Sequence, residues 1–279
     1  MIRAFVVGHP IAHSRSPLIH GHWLAVHGIA GSYERLDVAP EAFPAFLSTM
    51  REQGFAGGNV TIPHKEAAFR LAEILTPRAQ RIGAVNTLDR DEAGRLRGDN
   101  TDAPGFIAHL DQGLGAGWPE RADGTALVLG AGGAARAVVV GLAERGLSRI
   151  LVANRTRARA EALVALDPTR VAALDWTDLP DALLRTGLLV NTTSLGMTGH
   201  PPLDIDLAPL RRAAAVADIV YAPLETPLLA AARARGLAAI DGLGMLLHQA
   251  VPGFERWFGV RPSVTPDLRA RIAADLAKS

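Results

Sequence analysis

Cysteine is absent from the 279 residues of this chain. Its absence excludes disulfides, thiolate nucleophiles and metal sites with thiolate ligands. The chain also lacks an excess of charge of either sign, because its net charge is only +1. No basic run is dense enough to indicate nucleic acid or an anionic membrane as a partner. No apolar run reaches the length of a membrane-spanning segment. Aromatic residues make up only 5%, so the predicted cores are packed with aliphatic side chains.

With 279 residues the chain is long enough for two domains of ordinary size, and 48% of its residues are hydrophobic. The N-terminal segment, residues 1–8, is too short for the apolar region of a signal peptide and predicts a buried first strand. We therefore expect a soluble, cytoplasmic α/β protein, either a monomer or a homodimer.

The most informative stretch is residues 57–65, Gly-Gly-Asn-Val-Thr-Ile-Pro-His-Lys, followed by apolar residues at helical spacing over 66–75. It predicts a strand, a tight corner and a helix start, with Thr61 as a plausible cap and Pro63 in the first turn. Lys65 then lies where the helix dipole disfavours positive charge, which favours a role for its amine in acid–base chemistry. On local grounds alone, an ordinary surface lysine remains the alternative.

The loop after the first strand carries Ser14 and Ser16 just before Pro17 and a predicted helix. Hydroxyls and free N–H groups at a helix N-terminus favour an anion site, and a small carboxylate fits. The alternative is that one serine simply caps the helix. Five histidines crowd this segment, but no carboxylate stands at ligand spacing from them, so we expect no metal site: His9, His13, His20, His22 and His27.

A hairpin of residues 83–88 and 95–98 follows, joined by a glycine-containing turn. Asn86 lies in an otherwise apolar run, so it either faces a polar cavity or costs stability. After the hairpin, Asp102 precedes a helical run over residues 106–114. It is either that helix's N-cap or a catalytic partner, and local sequence does not choose between them.

Beyond residue 124 the pattern changes to strand, glycine-rich turn, helix and strand. The turn holds Gly130, Ala131, Gly132, Gly133 and Ala134, after an apolar strand over 125–129. In this βαβ context the glycines predict a dinucleotide site, with Gly130 for the tight turn and Gly132 for close approach of the pyrophosphate. Ala135 stands at the third position of the fingerprint, which permits alanine.

The end of the second strand of this unit favours NADP over NAD. An NAD site usually has an acid here, but the chain reads Asn154-Arg155-Thr156-Arg157-Ala158-Arg159, with no acid until Glu161. Arginines and a hydroxyl suit a 2′-phosphate dianion. A solvated basic helix face is the alternative; it accounts for Arg157 but not for the missing acid. A later strand ends in polar residues, among them Thr192 and Ser194, at the edge where ligands of open sheets bind.

Five motifs occur together in one order. They are the pair Ser14/Ser16, Asn59-Val60-Thr61-x-Pro63-x-Lys65, Gly83-Ala84-Val85-Asn86-Thr87, Asn100-Thr101-Asp102 and the arginine-rich nucleotide loop. With them the chain resembles the shikimate dehydrogenases, from residue 8 to about residue 261. The resemblance implies a two-domain α/β fold: residues 1–105 and 241–279 form a substrate-binding domain, and residues 106–240 an inserted Rossmann-type NADP-binding domain.

The resemblance also implies roles for individual residues. Ser14 and Ser16 would bind a substrate carboxylate, and Lys65 and Asp102 would form the catalytic pair. Thr61, Asn86 and Gln249 would hold ring hydroxyls. Tyr221 and Gly242 would lie near substrate and nicotinamide, with Met245 beside the nicotinamide.

The implied reaction is reversible reduction of 3-dehydroshikimate by NADPH, a step of aromatic amino-acid biosynthesis. The serine pair favours shikimate over quinate, since relatives that accept quinate often have threonine at the second position. Three other interpretations stay open at this point: a quinate/shikimate dehydrogenase of broader specificity, a non-catalytic NADP-binding regulator, and a histidine-rich metal protein.

Overall fold

The computed structural model describes residues 1–278 of the chain. By its internal contacts the chain divides into two compact units. Unit 1 comprises residues 1–101 and 249–272, and unit 2 comprises residues 102–248 and the described residues from 273 onward. The sequence predicts domain boundaries after residues 105 and 240, whereas the internal contacts divide the chain after residues 101, 248 and 272.

Unit 1 is built on a six-stranded mixed sheet with the strand order β2-β1-β3-β5-β6-β4. Its elements are β1 (Ile2–Gly8), α1 (Ser16–Val26), β2 (Gly31–Asp37), α2 (Phe43–Thr49), β3 (Phe55–Val60), α3 (Lys65–Leu71), β4 (Ile74–Leu75), α4 (Pro77–Ile82), β5 (Thr87–Arg90) and β6 (Leu96–Asp99). The predicted hairpin is therefore present as β5 and β6, which pair antiparallel. The helix expected over residues 66–75 is shorter, because Ile74 and Leu75 pair with β6 instead.

Strand directions in this sheet bring the ends of several strands to one edge. β1 runs parallel to β3, and β3 runs antiparallel to β5, which in turn is antiparallel to β6. The carboxyl ends of β1, β3 and β6 therefore lie at the same edge as the amino end of β5. The segments that leave or enter the sheet at this edge carry Ser14, Ser16, Thr61, Lys65 and Asn86.

The core of unit 1 is apolar and includes aromatic side chains despite their scarcity. Phe5 packs edge to face against Phe46 and Phe55, with ring centroids 5.1 and 5.2 Å apart. Each such pair adds to the stability gained from burial, typically about 0.5–1.5 kcal/mol. This core holds the sheet in place beneath the loops that leave its edge.

Unit 2 contains a six-stranded, fully parallel sheet. Its elements are α5 (Asp102–Leu114), α6 (Trp118–Arg121), β7 (Thr125–Leu129), α7 (Gly133–Glu144), β8 (Arg149–Ala153), α8 (Arg157–Val164), β9 (Val171–Leu174), α9 (Leu179–Leu183), β10 (Leu188–Asn191), β11 (Ala215–Asp218), α10 (Pro227–Ala234) and β12 (Ala238–Ile240). Two further helices, α11 (Leu243–Phe258) and α12 (Pro266–Leu276), contain residues of both units. Among residues 1–278 no helix combines the length and the apolar character that a bilayer span requires.

The strand order of the second sheet, β12-β11-β10-β7-β8-β9, reverses between β7 and β10. Numbered within the unit, this is the 3-2-1-4-5-6 order of the doubly wound dinucleotide-binding fold. In such sheets ligands bind outside the carboxyl ends of the strands at the point of reversal. A nucleotide site is therefore expected at the residues that follow β7 and β10.

Candidate functional site

The serine loop of unit 1 follows β1. Ser16 is the first residue of α1, and the Ser14 hydroxyl accepts a hydrogen bond from the Ser16 backbone N–H at 3.3 Å. The N-cap residue itself is Arg15, which makes no side-chain cap bond. Ser14 thus does part of the capping that the sequence left as an alternative. Both hydroxyls nevertheless lie at the first turn of α1, where backbone N–H groups favour an anion.

The corner before α3 differs from the expected one. α3 begins at Lys65 and its cap residue is His64, without a side-chain cap bond, so the prediction that Thr61 caps this helix is wrong. The reason is a turn in which the Thr61 carbonyl accepts from the His64 N–H at 2.9 Å, which delays the helix start. Lys65 does occupy the first turn, as the pattern predicts. The buried His64 ring stacks on Phe43 with centroids 4.3 Å apart and fixes this corner.

Asn86 is buried, and its polar groups are satisfied. Its backbone carbonyl accepts from the Val60 N–H at 2.8 Å, and its own N–H donates to the Asp99 carbonyl at 3.0 Å. Its side-chain Oδ1 accepts from the Thr101 backbone N–H at 2.7 Å. The sequence predicts that Asn86 either faces a polar cavity or costs stability. In the structure its side chain lies in polar surroundings.

Gln249 joins this group from a distant part of the chain. The Asn86 Nδ2 donates to Gln249 Oε1 at 3.3 Å, across 163 residues of sequence. Both residues belong to unit 1 and are buried. Two amides that the resemblance assigns to the substrate are thus brought side by side.

Behind these amides lies a further buried pair, Tyr33 and Asn59. The Tyr33 hydroxyl donates to Asn59 Oδ1 at 2.6 Å, and Asn59 Nδ2 donates to the Asn86 carbonyl and to the Thr87 hydroxyl at 3.1 and 3.2 Å. Burial raises the pKa of Tyr33 well above its ordinary value, against smaller lowering effects of hydrogen bonds with Ser16 and Asn59. Tyr33 therefore stays protonated and acts as a donor.

His20 covers the other side of Tyr33. Its ring stacks on the phenol ring with centroids 3.9 Å apart and planes 5° apart. Burial lowers the pKa of His20 to about 3, against a smaller raising effect of a hydrogen bond with Asn59. The ring therefore packs as a neutral aromatic group. Among residues 1–278, no set of three or more histidines or carboxylates is arranged to hold a metal ion.

In unit 2, the glycine loop lies at the reversal point of the sheet. Gly130 adopts φ +102°, and a Cβ there would lie 2.7 Å from the Thr192 hydroxyl, so the loop after β7 and the residues after β10 are in contact. A Cβ at Gly132 or Gly133 would meet no protein atom within 4 Å. The first turn of α7 thus faces open space and has N–H groups available for an anion. These features fit the pyrophosphate of a dinucleotide.

The arginines after β8 differ in what they contact. Arg157 pairs with Glu161 at 2.8 Å and also with Asp175. Arg155 and Arg159 are exposed, and within residues 1–278 neither forms an ion pair. Asn154 Nδ2 donates to the Thr156 carbonyl at 2.9 Å, which shapes the loop that carries them. Two guanidinium groups therefore remain available for a phosphate, while Arg157 is held by carboxylates.

The start of α11 is packed closely within unit 2. A Cβ at Gly242 would lie 2.2 Å from the Ile219 carbonyl oxygen, so the segment just before Tyr221 lies directly against this turn. The imidazole of His109, on α5, donates from Nε2 to the Asp241 carbonyl at 2.8 Å. Met245, in the first turn, is half-buried. Three residues expected near the nicotinamide, Tyr221, Gly242 and Met245, thus belong to one compact part of unit 2.

Asp102 is the first residue of α5 and is 9% exposed. A carboxylate in the first turn is favoured by the helix dipole. Asp102 belongs to unit 2, whereas Lys65 belongs to unit 1. The last of the predicted residues, Ser194, is exposed in the loop after β10.

Each unit by itself has a definite chemical capacity. Unit 1 offers hydroxyls, amides and an amine at one sheet edge, which suits a small acid that carries several hydroxyls. Unit 2 offers a dinucleotide crevice with free arginines. Sequence reasoning did not assign roles to Tyr33, Asn59, Thr87 or Thr101. A polar residue beside apolar ones was an available signal for Asn59 and Thr87, as it was for Asn86, whereas Thr101 lies in a polar run that offers no such signal.

Family models match three parts of the chain. They are described as the shikimate dehydrogenase substrate binding domain over residues 6–88, shikimate/quinate 5-dehydrogenase over 117–197 and the shikimate 5′-dehydrogenase C-terminal domain over 242–270. A shikimate dehydrogenase (NADP(+)) of Methylobacterium radiotolerans is 78% identical over 275 residues, covering 99% of this chain and 98% of the relative. One of Azorhizobium caulinodans is 57% identical over 277 residues, covering 99% and 98%.

Solved structures agree with these matches. The shikimate 5-dehydrogenase of Thermus thermophilus in complex with NADP(H) and shikimate is 40% identical, with a TM-score of 0.85 over 99% of this chain and 100% of that one. The quinate dehydrogenase of Corynebacterium glutamicum in complex with NAD is 32% identical, with a TM-score of 0.89 over 98% of this chain and 99% of that one.

Proposed function

The chain belongs to the shikimate dehydrogenase family, and from this premise we propose that it reduces 3-dehydroshikimate to shikimate and catalyses the reverse oxidation. It is an NADP-dependent oxidoreductase of the shikimate pathway, which leads to the aromatic amino acids. The structural observation that carries the proposal is the meeting of Asn86 and Gln249 at the sheet edge that also presents Lys65. This edge offers the donors and acceptors that a polyhydroxylated acid requires.

In the proposed complex, Ser14 and Ser16 bind the substrate carboxylate. Their support is the position of both hydroxyls at the first turn of α1, where the helix dipole favours an anion. Thr61, Asn86 and Gln249 hold the ring hydroxyls, and Tyr221 contacts the substrate from unit 2. Buried amides around a hydroxyl reject analogues that lack it, because the amides would then be left unpaired.

NADPH, when bound, supplies the hydride. The carbonyl oxygen gains negative charge as the hydride adds to its carbon, and Lys65 donates a hydrogen bond to that oxygen and passes it a proton. The Asp102 carboxylate orients the amine. Assistance of this kind is typically worth about 10²–10⁴ in rate. In the oxidation direction the same amine accepts the hydroxyl proton.

The residues of unit 2 fit NADP on observations of their own. The open space at Gly132 and Gly133 leaves room for the pyrophosphate on the N-terminus of α7, with Ala131 and Ala134 beside them. Arg155 and Arg159 hold the 2′-phosphate, with Asn154 and Thr156 shaping their loop. Thr192 and Ser194 line the crevice after β10, and Gly242 and Met245 lie beside the nicotinamide.

The proposal extends to the setting of the enzyme. We place it in the cytoplasm as a monomer or homodimer, with no nucleic-acid or membrane partner. The nearly neutral net charge of +1 supports the lack of a polyanionic partner.

A quinate dehydrogenase of broader specificity is the second candidate, and the similarity to the quinate dehydrogenase of C. glutamicum supports testing it. The experiment is an absorbance assay at the NADPH band with shikimate or quinate and with NADP⁺ or NAD⁺. We expect the highest kcat/KM for shikimate with NADP⁺. Equal values for quinate would establish the second candidate, and no turnover of either acid would refute both.

A further inference from the structure

The buried polar network of unit 1 donates its hydrogen bonds in one direction. Its members are Tyr33, Asn59, Asn86, Thr87, Thr101 and Gln249, all within unit 1. Side-chain amides are ambiguous by themselves, since oxygen and nitrogen are nearly alike in shape. Here, backbone groups with a fixed role remove the ambiguity at both amides.

The first fixed point is at Asn59. Its Nδ2 lies 3.1 Å from the Asn86 backbone carbonyl, which can only accept. The amide nitrogen therefore faces Asn86, and Oδ1 faces the Tyr33 hydroxyl at 2.6 Å. Since Oδ1 can only accept, Tyr33 is the donor of this pair.

The second fixed point is at Asn86. The backbone N–H of Thr101 can only donate, and it lies 2.7 Å from Asn86 Oδ1. The oxygen of this amide therefore faces Thr101, and its nitrogen faces Gln249 Oε1 at 3.3 Å. The orientation of Asn86 is thus set by a group that no side-chain rotation can reverse.

Thr87 connects the two amides. Its hydroxyl accepts from Asn59 Nδ2 at 3.2 Å, so its own proton is donated onward. The onward partners are Asn86 Oδ1 and the Thr101 hydroxyl, both at 3.0 Å, and the Thr101 hydroxyl in turn donates to Asn86 Oδ1 at 3.1 Å. By either route the chain of hydrogen bonds that starts at the Thr87 hydroxyl ends at Asn86 Oδ1. Thr87 is fully buried, so no water competes for these bonds.

We infer that Thr87 is a positioning residue for substrate binding: together with the Thr101 N–H, its hydroxyl holds the Asn86 amide with Oδ1 toward the two threonines, so that Nδ2 is the atom of this amide that faces Gln249 and the substrate. This inference rests on the proposed function, in which Asn86 binds a ring hydroxyl. It also specifies the direction of that hydrogen bond: the substrate hydroxyl accepts from Asn86 and must donate its own proton to another group. It also separates Thr87 from the residues that touch the substrate themselves.

The test compares Thr87→Val, which keeps the shape and removes the hydroxyl, with Thr87→Ser, which keeps the hydroxyl. Thr186→Val is the matched control, because Thr186 is also fully buried and its hydroxyl donates to the Ala182 carbonyl at 2.9 Å in unit 2. KM for shikimate, kcat, the dissociation constant for NADP⁺ and the unfolding midpoint in urea are measured for each.

We expect Thr87→Val to raise KM for shikimate about tenfold, the effect of one buried hydrogen bond, with a smaller change in kcat and unchanged NADP⁺ binding. Thr87→Ser should restore KM to within about threefold of the original, the range of ordinary context effects on one bond. Thr186→Val should lower the unfolding midpoint and leave KM unchanged.

An unchanged KM in folded Thr87→Val, with only stability lowered, overturns the inference and leaves the proposed function intact. If KM for shikimate rises as much in Thr87→Ser as in Thr87→Val, the inference is also overturned, because loss of the hydroxyl would then not explain the increase. Lack of shikimate turnover by the unaltered enzyme overturns the proposed function and this inference together. If Thr87→Val does not fold, Thr101→Val carries the same expectation, because it removes another donor to the same oxygen.

Discussion

At the scale of single residues, lysine is rare in this chain. Lys65 and Lys278 are its two lysines, and arginine supplies the other basic side chains. A guanidinium stays protonated under all physiological conditions, whereas an amine can donate and accept a proton. A lysine as the first residue of α3, among so many arginines, is the choice that proton transfer requires.

Replacing Lys65 by alanine should lower kcat for shikimate oxidation by at least about two decades, because general acid–base assistance is lost. KM should change little. Lys278→Ala provides the control, since it removes the other amine from an exposed position near the end of the described chain. Steady-state kinetics at several pH values measure both, and full turnover by Lys65→Ala would refute the assigned role.

The arginines after β8 allow an equally direct comparison. Arg155→Ala should weaken NADPH binding by about tenfold or more and leave NADH binding nearly unchanged, since a charge-assisted contact to the 2′-phosphate is lost. Arg157→Ala is the matched control, because Arg157 is already paired with Glu161 and Asp175. Fluorescence titration with both nucleotides gives the ratio, and equal losses for NADPH and NADH would contradict the assignment.

At the scale of elements, the start of α11 is held by α5. The His109 ring lies so close to α11 that a Cβ at Gly244 would be 1.9 Å from its Nδ1, and its Nε2 is bonded to the Asp241 carbonyl. The Asp241 carboxylate in turn accepts from the Leu243 N–H at 3.0 Å. The first turn of α11, which is proposed to lie beside the nicotinamide, thus has one well-defined position.

Gly244→Ala should therefore destabilise unit 2 and raise KM for NADPH, because the added methyl displaces either the His109 ring or the helix. The same change in a His109→Ala background should cost much less, since the smaller side chain leaves room for the methyl. A double-mutant cycle on the free energy of unfolding measures the difference. Additive effects of the two changes would show that the ring does not exclude the methyl.

Sequence patterns predicted the elements whose cause is local. The run Thr125–Leu129 and the glycines after it specify a strand and a turn by themselves, and Lys65 was placed correctly in a first turn. The Thr61 cap was wrong because the backbone of the corner, not a side chain, sets where α3 begins. The contact of Asn86 with Gln249 was beyond pattern reasoning, since it joins residues far apart in sequence.

At the scale of the whole molecule, two histidines with lowered pKa values, His20 and His248, make stability depend on pH. Burial lowers the pKa of His20 to about 3, and burial with the neighbouring His109 lowers the pKa of His248 to about 4, both below the ordinary value of 6.5. Between pH 6.5 and 4 the unfolded chain therefore binds protons that the folded chain does not, so the free energy of unfolding falls as pH falls. Asp218 opposes this in part, since burial raises its pKa.

The expected slope from His20, which is fully buried, is up to about 1.4 kcal/mol per pH unit. His20→Phe, which keeps a ring against Tyr33, should make the curve shallower between pH 6.5 and 4. Ile19→Val is the control, because it trims the same core and should lower the free energy of unfolding by about 1 kcal/mol at every pH. Urea titrations across this range measure the slopes, and an unchanged slope in His20→Phe would contradict the explanation.

The orientation of the Asn86 amide, with Oδ1 toward Thr87 and Thr101, also limits which substrate analogues can inhibit the enzyme. That oxygen already accepts from the Thr101 N–H and from two threonine hydroxyls. For ligands held at Asn86, an ether or ketone oxygen in place of the hydroxyl keeps an acceptor and should be tolerated. An ammonium group has only N–H donors and would face the Nδ2 donor of Asn86. Inhibitors should therefore carry an oxygen substituent at this ring position.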